Sequence, residues 1–209
     1  MGTFTEQFLG DTVAVLRSLD QRKIETLVEV VAATRERGGR LFLCGSGGGA
    51  GHASHAACDF RKLCNLESYA VTDNVSELTA RINDDGWETS YSNWLRASRL
   101  RGDDCLFVFS VGGGDLKQRV SVNLIEAMQL ARERGASVVG VAGRDGGALA
   151  QYADACIVIP TADPGLVTPQ TEGLQAVMWH LIVSHPKLAA NTAKWESISD
   201  PVVEESRSR

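Results

Sequence analysis

Short apolar runs recur along the chain, and most of them lead into glycine. Each run is continuous over four or five residues, which is typical of strands covered on both faces, and the runs lie at residues 41–44, 105–109, 137–141 and 156–159. A weaker strand is expected at residues 69–71. Because these runs alternate with helix-length segments, the pattern predicts βαβ units and an α/β fold with a parallel sheet.

Apolar positions at helical spacing predict helices before, between and after the strands. Two of them open the chain, marked by Phe8, Val13, Val15 and Leu16 and then by Ile24, Leu27, Val28, Val30 and Val31. Others are expected to begin near Ala50 and to span residues 122–132. The last is expected to start with Thr168 as N-cap and Pro169 at the first helical position, and to end near Ser184.

The organisation of the chain is that of one domain. We interpret residues 1–209 as N-terminal helices over 1–38, an α/β core over 39–186 and a C-terminal tail over 187–209, which is expected to fray from residue 204. The absence of composition shifts and low-complexity segments favours this interpretation over two domains.

Charge and cysteine content exclude several classes of protein. A net charge of −5 argues against nucleic acid as the main partner, because a phosphate backbone attracts a basic surface. The five cysteines form no Cys-x-x-Cys pair, and their odd number favours reduced thiols in a reducing compartment. Residues 1–6 lack the features of a signal peptide, and no apolar run could cross a bilayer. We therefore expect a cytoplasmic protein with no membrane partner.

Two glycine-rich segments follow predicted strands. The first glycine loop contains Ser46, Gly47, Gly48 and Gly49, and the second contains Ser110, Val111, Gly112 and Asp115. Ligands of open α/β sheets bind beyond the carboxyl ends of strands, and bare N–H groups at a helix start suit an anion. A tight turn without ligand is the alternative for one such loop, but two at neighbouring strand ends favour a binding site. The first loop lacks the P-loop lysine, and a dinucleotide site would have only Glu67 as its acidic residue.

The order of motifs resembles a known family. The stretch 41–61 with its glycine loop, His55 and Asp59, the stretches 72–74 and 83–84, the loop at Ser110, the stretch 141–147 and the helix with Glu172 and His180 resemble bacterial phosphoheptose (sedoheptulose 7-phosphate) isomerases. These enzymes belong to the sugar-isomerase (SIS) domain superfamily, and the similarity covers most of the chain. It implies a three-layer sandwich around a parallel sheet, with additional N-terminal helices here, assembled as a homotetramer with active sites at subunit interfaces.

The resemblance also implies an activity and the residues that carry it. Members interconvert aldose and ketose phosphates through an enediol, and several bind zinc. By this resemblance Asp59 and His180 are the catalytic pair, and His55, Asp59, Glu172 and His180 are the metal-binding positions. The substrate-contacting positions are the two loops, the pair Asn83 and Asp84, and Glu172, where the family usually has Gln.

Helical geometry supports only part of this set. His55 and Asp59 are four residues apart on one helix face, and imidazole and carboxylate suit zinc. Glu172 and His180 are separated by about 12 Å of helix rise, so we expect difficulty in bringing both to one metal. His52 and His185 are interpreted as structural or surface residues.

The chain departs from the family in its phosphate cradle. The serine that usually ends the first loop is Gly49, and Val111, Gly112 and Asp115 replace hydroxyl residues of the second. Asp115 would repel a phosphate dianion if it pointed inward. Three accounts stay open: backbone N–H groups alone hold the phosphate; the ligand is a different sugar phosphate, with Asp115 binding a hydroxyl; or the protein binds a neutral sugar or has lost the isomerase activity. The alternative function is a non-catalytic sugar-phosphate-binding module.

Overall fold

A five-stranded parallel sheet forms the centre of the computed structural model, which describes residues 2–198. The strands are β1 (Leu41–Gly45), β2 (Ser68–Ala70), β3 (Cys105–Ser110), β4 (Ser137–Gly143) and β5 (Ala155–Ile159), in the order β2-β1-β3-β4-β5. All five predicted strands are present. Strands β1 and β3 are buried on both faces, which explains why their sequences are continuous apolar runs.

Helices cover both faces of the sheet. They are α1 (Phe4–Ser18), α2 (Gln21–Glu36), α3 (Gly48–Cys64), α4 (Val75–Asp85), α5 (Ser90–Ala97), α6 (Val122–Glu133), α7 (Gly147–Tyr152) and α8 (Val167–Ser184). One apolar core joins the sheet to α1, α2, α3 and α8, and a second joins it to α5, α6 and α7. Alternate side chains of β1 supply both, since Leu41 and Leu43 enter the first and Phe42 and Cys44 the second. The predicted three-layer α/β fold of the SIS type is confirmed.

The strand order places a crevice between β1 and β3. The chain leaves β1 towards β2 on one side and returns to β3 on the other, so the connections diverge at this point. In doubly wound sheets such a switch point opens a crevice at the carboxyl ends of the two strands. The two glycine loops follow β1 and β3 and therefore border the same crevice.

The start of α8 corrects one prediction. Thr168 is not the N-cap, because the helix begins at Val167 and Thr168 and Pro169 lie inside its first turn. A short 3₁₀ turn, Pro164–Leu166, precedes it, and the Asp163 carboxylate accepts the N–H of Gly165 there. Helix α8 itself has no side-chain cap, because its N-cap residue is Leu166.

Other expectations concern the termini and the cysteines. Residues 199–209, including the predicted frayed end, lie outside the described residues. The five cysteines are unpaired, and burial raises the pKa of Cys105 to about 12 and that of Cys64 to about 11. Over residues 2–198, none of the helices has the length and apolar character needed to span a membrane.

Candidate active site

The first glycine loop is tightly folded against the sheet. Gly47 has a φ of 59°, which L side chains rarely adopt, and it is the N-cap of α3. A Cβ on Gly49 would lie 2.8 Å from the carbonyl oxygen of Phe109 on β3. The loop therefore approaches the end of β3 so closely that position 49 has no room for a side chain.

The second glycine loop is closed by its own side chains. The Ser110 hydroxyl is buried and accepts the N–H of Gly113 at 3.0 Å. Asp115 Oδ1 accepts the N–H groups of Lys117 and Gln118 at 2.8 and 3.0 Å. Asp115 thus caps a turn, a contact that the sequence did not predict.

Several backbone N–H groups of the two loops, among them four of glycines, are not bonded to the protein itself. Within residues 2–198, the backbone N–H groups of Gly47, Gly48, Gly112 and Gly114 donate to no protein acceptor. Two belong to each loop, at the carboxyl ends of β1 and β3. Such groups suit the oxygens of an anion or of a sugar.

A Gly113→Ala change should disrupt the second loop. Gly113 has a φ of 74°, and a Cβ there would lie 1.9 Å from the carbonyl oxygen of Gly146. We expect a loss of about 1–3 kcal/mol in the free energy of unfolding, measured by urea denaturation. Gly51→Ala is the control, because no atom lies within 4 Å of its Cβ position. That helical change should instead stabilise by about 0.5–1 kcal/mol, and equal effects of the two changes would contradict the prediction.

Three predicted functional side chains meet at the junction of α3 and α8. One nitrogen each of His55 and His180 and one carboxylate oxygen of Asp59 all lie within 4.8 Å of one another. His55 Nε2 is 3.8 Å from Asp59 Oδ2, and the two imidazole rings are 5.6 Å apart, edge to face. The histidines are exposed, and Asp59 is half-buried. This donor set fits a zinc ion, since imidazole and carboxylate are its usual N and O ligands.

Hydrogen bonding defines which nitrogen of His180 is available. Its Nδ1 lies 2.7 Å from the carbonyl oxygen of Ala176, and because a carbonyl only accepts, Nδ1 carries the hydrogen. Nε2 is then the nitrogen that can accept a proton or bind a metal. The buried Trp179 ring stacks on the His180 ring and lies 4.7 Å from that of His55, forming an apolar floor.

Glu172 lies apart from these three residues. Its carboxyl group packs on the first turn of α3, where a Cβ on Gly48 would be 2.6 Å from it. The structure therefore does not bring Glu172 into the group with His55, Asp59 and His180, as the 12 Å rise anticipated. A carboxylate at a helix N-terminus is favourable, and here it lies beside the first glycine loop.

His52 belongs to the same crevice, although the sequence interpretation set it aside. Burial lowers its pKa, and the backbone carbonyl and charge of Glu172 oppose that effect. The positions of His52, His55 and Asp59 lie on one face of α3, a spacing that could have revealed it. His185, in contrast, is 3.4 Å from Glu25 and outside the site.

The remaining predicted contacts, Asn83 and Asp84, lie on α4, outside the group of His55, Asp59 and His180. Asn83 and Asp84 are exposed in the last turn of α4, where the Asn83 amide donates to the Asp84 carboxylate. They are therefore helical and do not form the turn that Asn-Asp-Asp-Gly suggests. Arg119, beyond the second loop, pairs with Glu88 and so links that loop to the segment after α4.

A cleft of about 420 Å³ borders the second loop. Gly112, Gly114, Lys117 and Arg144 line it, so free N–H groups and two cations face one space. Asp115 and Asp145 also line the cleft, but each carboxylate accepts a backbone N–H. Lys117 and Arg144 were not among the predicted ligand contacts.

Comparison with known proteins agrees with this architecture. A family model described as the SIS domain matches residues 7–143. A phosphoheptose isomerase from Rhodospirillum rubrum is 34% identical over 158 residues, which cover 73% of this chain and 78% of that protein. The structure of a phosphoheptose isomerase from Neisseria gonorrhoeae superimposes with a TM-score of 0.73 at 26% identity, covering 87% of this chain and 98% of that one.

One similar protein is named for an antibiotic pathway. The lincomycin biosynthesis protein LmbN from Streptomyces lincolnensis is 39% identical over 163 residues, or 73% of this chain. The matched region spans only 58% of that relative's length.

Proposed function

Because this chain belongs to the SIS domain family and to the phosphoheptose isomerases within it, we propose that it converts sedoheptulose 7-phosphate into a heptose 7-phosphate. Isomerisation of a sugar phosphate is the activity of its relatives by name. The convergence of Asp59 and His180 supports the same chemistry, because a carboxylate and an imidazole from helices remote in the sequence lie within 4.8 Å of each other.

An enediol mechanism assigns one proton to each of the two groups. The Asp59 carboxylate takes a proton from C1 of the open-chain ketose and returns it to C2. His180 Nε2 moves the accompanying proton between the oxygens on C2 and C1, since its Nδ1 hydrogen is already donated to Ala176. No atom is gained or lost overall, as an aldose–ketose isomerisation requires. The Trp179 floor limits the access of water to the enediol from that side.

The phosphate end is assigned to the second glycine loop. Gly112 and Gly114 offer N–H donors there, and the cations Lys117 and Arg144 balance the carboxylates of Asp115 and Asp145, which each accept a backbone N–H group. The first loop suits the sugar end, because the Glu172 carboxylate beside it can accept a sugar hydroxyl. This arrangement favours the account in which backbone groups replace the family's hydroxyls.

Exchange of hydrogen with solvent tests the proposed activity. Wild-type protein is incubated in deuterated water with sedoheptulose 7-phosphate, other ketose phosphates and the matching free ketoses. Deuterium should enter next to the carbonyl of the 7-phosphate, with appearance of the aldose. Exchange with a free ketose alone would move the substrate to unphosphorylated sugars. No exchange with any sugar would identify a binding module instead.

Zinc is proposed to bind at His55, Asp59 and His180. Bound there, zinc would supply Lewis-acid chemistry to a substrate carbonyl. Because Nε2 is the one free nitrogen of His180, this atom would hold the metal in the zinc-bound site and can move a proton only in the zinc-free site, to which the enediol mechanism above applies.

Removing one of these side chains should weaken zinc binding. Calorimetry should find one zinc per chain for the wild type, and a dissociation constant at least about tenfold higher for His55→Ala. Cys58→Ser is the control, because this exposed thiol precedes Asp59 but is outside the group. An unchanged affinity in His55→Ala would refute the site.

We also propose a cytoplasmic homotetramer. Exposed apolar side chains on α1 and α8 support assembly, and on α8 they flank His180: they are Phe4, Leu9, Val13, Val177 and Leu181. Covering this surface would also shield the site from water. Light scattering should give a mass of four chains, and a monomer at all concentrations would contradict the assembly.

A further inference from the structure

A buried polar cluster lies behind the first glycine loop. Tyr91 on α5 donates its hydroxyl hydrogen to the carbonyl oxygen of Gly45 at 2.8 Å. Asn123, in the first turn of α6, donates its amide nitrogen to Ser46 Oγ at 3.4 Å. Tyr91 and Asn123 are almost completely buried, whereas Ser46 is partly exposed. Ser46 is therefore the member of the cluster that reaches the crevice.

The hydrogens of the cluster leave one donor free. Burial raises the pKa of Tyr91 to about 12, so the phenol keeps the hydrogen that it donates to Gly45. Ser46 Oγ accepts a hydrogen from the Asn123 amide, and within residues 2–198 its own hydroxyl hydrogen is donated to no protein acceptor. That hydrogen can therefore point into the crevice.

The buried side chain of Asn123 is incompletely hydrogen-bonded. Its Oδ1 has no hydrogen-bond partner among residues 2–198, and the side chain has no exposed surface. A buried acceptor without a partner costs about 1–3 kcal/mol, so packing alone does not account for an asparagine here. Its nitrogen is the part that contacts a loop residue.

Ser46 is the accessible hydroxyl of the two loops. The only other one within residues 45–49 and 110–114 is Ser110, which is buried and bound to Gly113. Position 49 has no room for a side chain, because Phe109 of β3 is too close. A hydroxyl contact to the substrate from these loops must therefore come from Ser46.

We propose that Asn123 is a positioning residue, which turns the hydroxyl hydrogen of Ser46 outward so that this loop residue, already a substrate contact by the family resemblance, donates to an oxygen of the bound sugar phosphate. The proposal rests on the sugar-phosphate site proposed above. It predicts a specific effect of Asn123→Asp: the carboxylate would accept the Ser46 hydrogen and turn it inward, with little change in side-chain volume.

A double-mutant cycle on binding and turnover tests this role. Ser46→Ala and Asn123→Asp should each raise the dissociation constant or lower kcat/KM by roughly tenfold, and the double variant should be no worse than Ser46→Ala alone. Tyr91→Phe is the structural control, because it lowers stability through the lost bond to Gly45 but leaves the Ser46 hydrogen free.

Inhibition by inorganic phosphate shows which end of the substrate is contacted, since it weakens in Ser46→Ala only if the contact is to the phosphate.

Each outcome is separable from the proposed activity. Dissociation constants for the panel of ketose phosphates are measured by calorimetry, so the cycle is informative even if the wild type binds without turnover. Multiplicative losses in the double variant, or unchanged binding in Ser46→Ala, would overturn the role of Asn123. If Tyr91→Phe changed the dissociation constant as much as Asn123→Asp, the cluster would have only a structural role. A wild type that binds no sugar phosphate would refute both proposals.

Discussion

His180→Ala is expected to lower kcat about 10²–10⁴-fold on the ketose phosphate that the wild type isomerises. This is the usual contribution of a positioned general acid–base group. The ring is exposed, so its removal should leave the fold intact and open a space that small molecules can enter. Added imidazole should therefore restore part of the activity, an effect that a purely structural role would not produce. Turnover is measured with and without imidazole.

A matched histidine on the same helix supplies the control. His185, at the end of α8, pairs with Glu25 and lies outside the group of three, so His185→Ala should keep wild-type turnover. Asp59→Asn should abolish deuterium entry next to the carbonyl without imidazole rescue. Exchange that persists in both Asp59→Asn and His180→Ala would remove this catalytic pair.

Arg40→Met is expected to destabilise the fold by about 3–5 kcal/mol. Arg40 precedes β1 and Asp104 precedes β3, at the edge of the sheet opposite the crevice. The Asp104 carboxylate is completely buried and accepts hydrogen bonds from the Arg40 side chain at 2.7 and 3.1 Å. It also accepts the backbone N–H groups of Arg40 and Arg101. Removing the guanidinium leaves a buried charge without its counter-ion.

Urea unfolding at neutral pH measures this effect. Arg101→Met is the control, because the Arg101 guanidinium also lies near Asp104, at 3.8 Å, but is more than half exposed. It should cost less than about 1 kcal/mol, as exposed pairs do. Equal costs for the two variants would contradict a specific role of Arg40, and the turnover of both should stay near that of the wild type.

The same pair should make stability depend on acid. Burial alone would raise the pKa of Asp104, but the hydrogen bonds from Arg40 and from the backbone outweigh it and lower that pKa. A carboxyl group with a lowered folded-state pKa stabilises above its unfolded pKa of about 4 and loses this contribution as pH falls through the folded value. The stability difference between wild type and Asp104→Asn should accordingly shrink below about pH 4.

The hydrophobic pattern predicted the strands better than the helices between them. Residues 41–44 and 105–109 are buried on both faces, so their strands appear as uninterrupted apolar runs. Helix α4 was not predicted, because its apolar stripe consists only of Val75, Leu78 and Ile82 and none of these is fully buried, although Asn74 caps the helix. The missed His52 shows the same limit, because a partly buried polar residue has no hydrophobic signature.

The sheet and the two glycine loops could be predicted from residue types, because burial on both faces and close backbone approach restrict residue types locally. The order of motifs likewise indicated the family. Which side chains meet depends instead on how the helices pack. His180 reaches Asp59 because α3 and α8 pack on the same face of the sheet, whereas Glu172, two turns earlier, falls on the first glycine loop. The direction of the Asp115 carboxylate was likewise decided by the N–H groups that its turn presents. Such contacts depend on distances between elements remote in the chain, which no local pattern encodes.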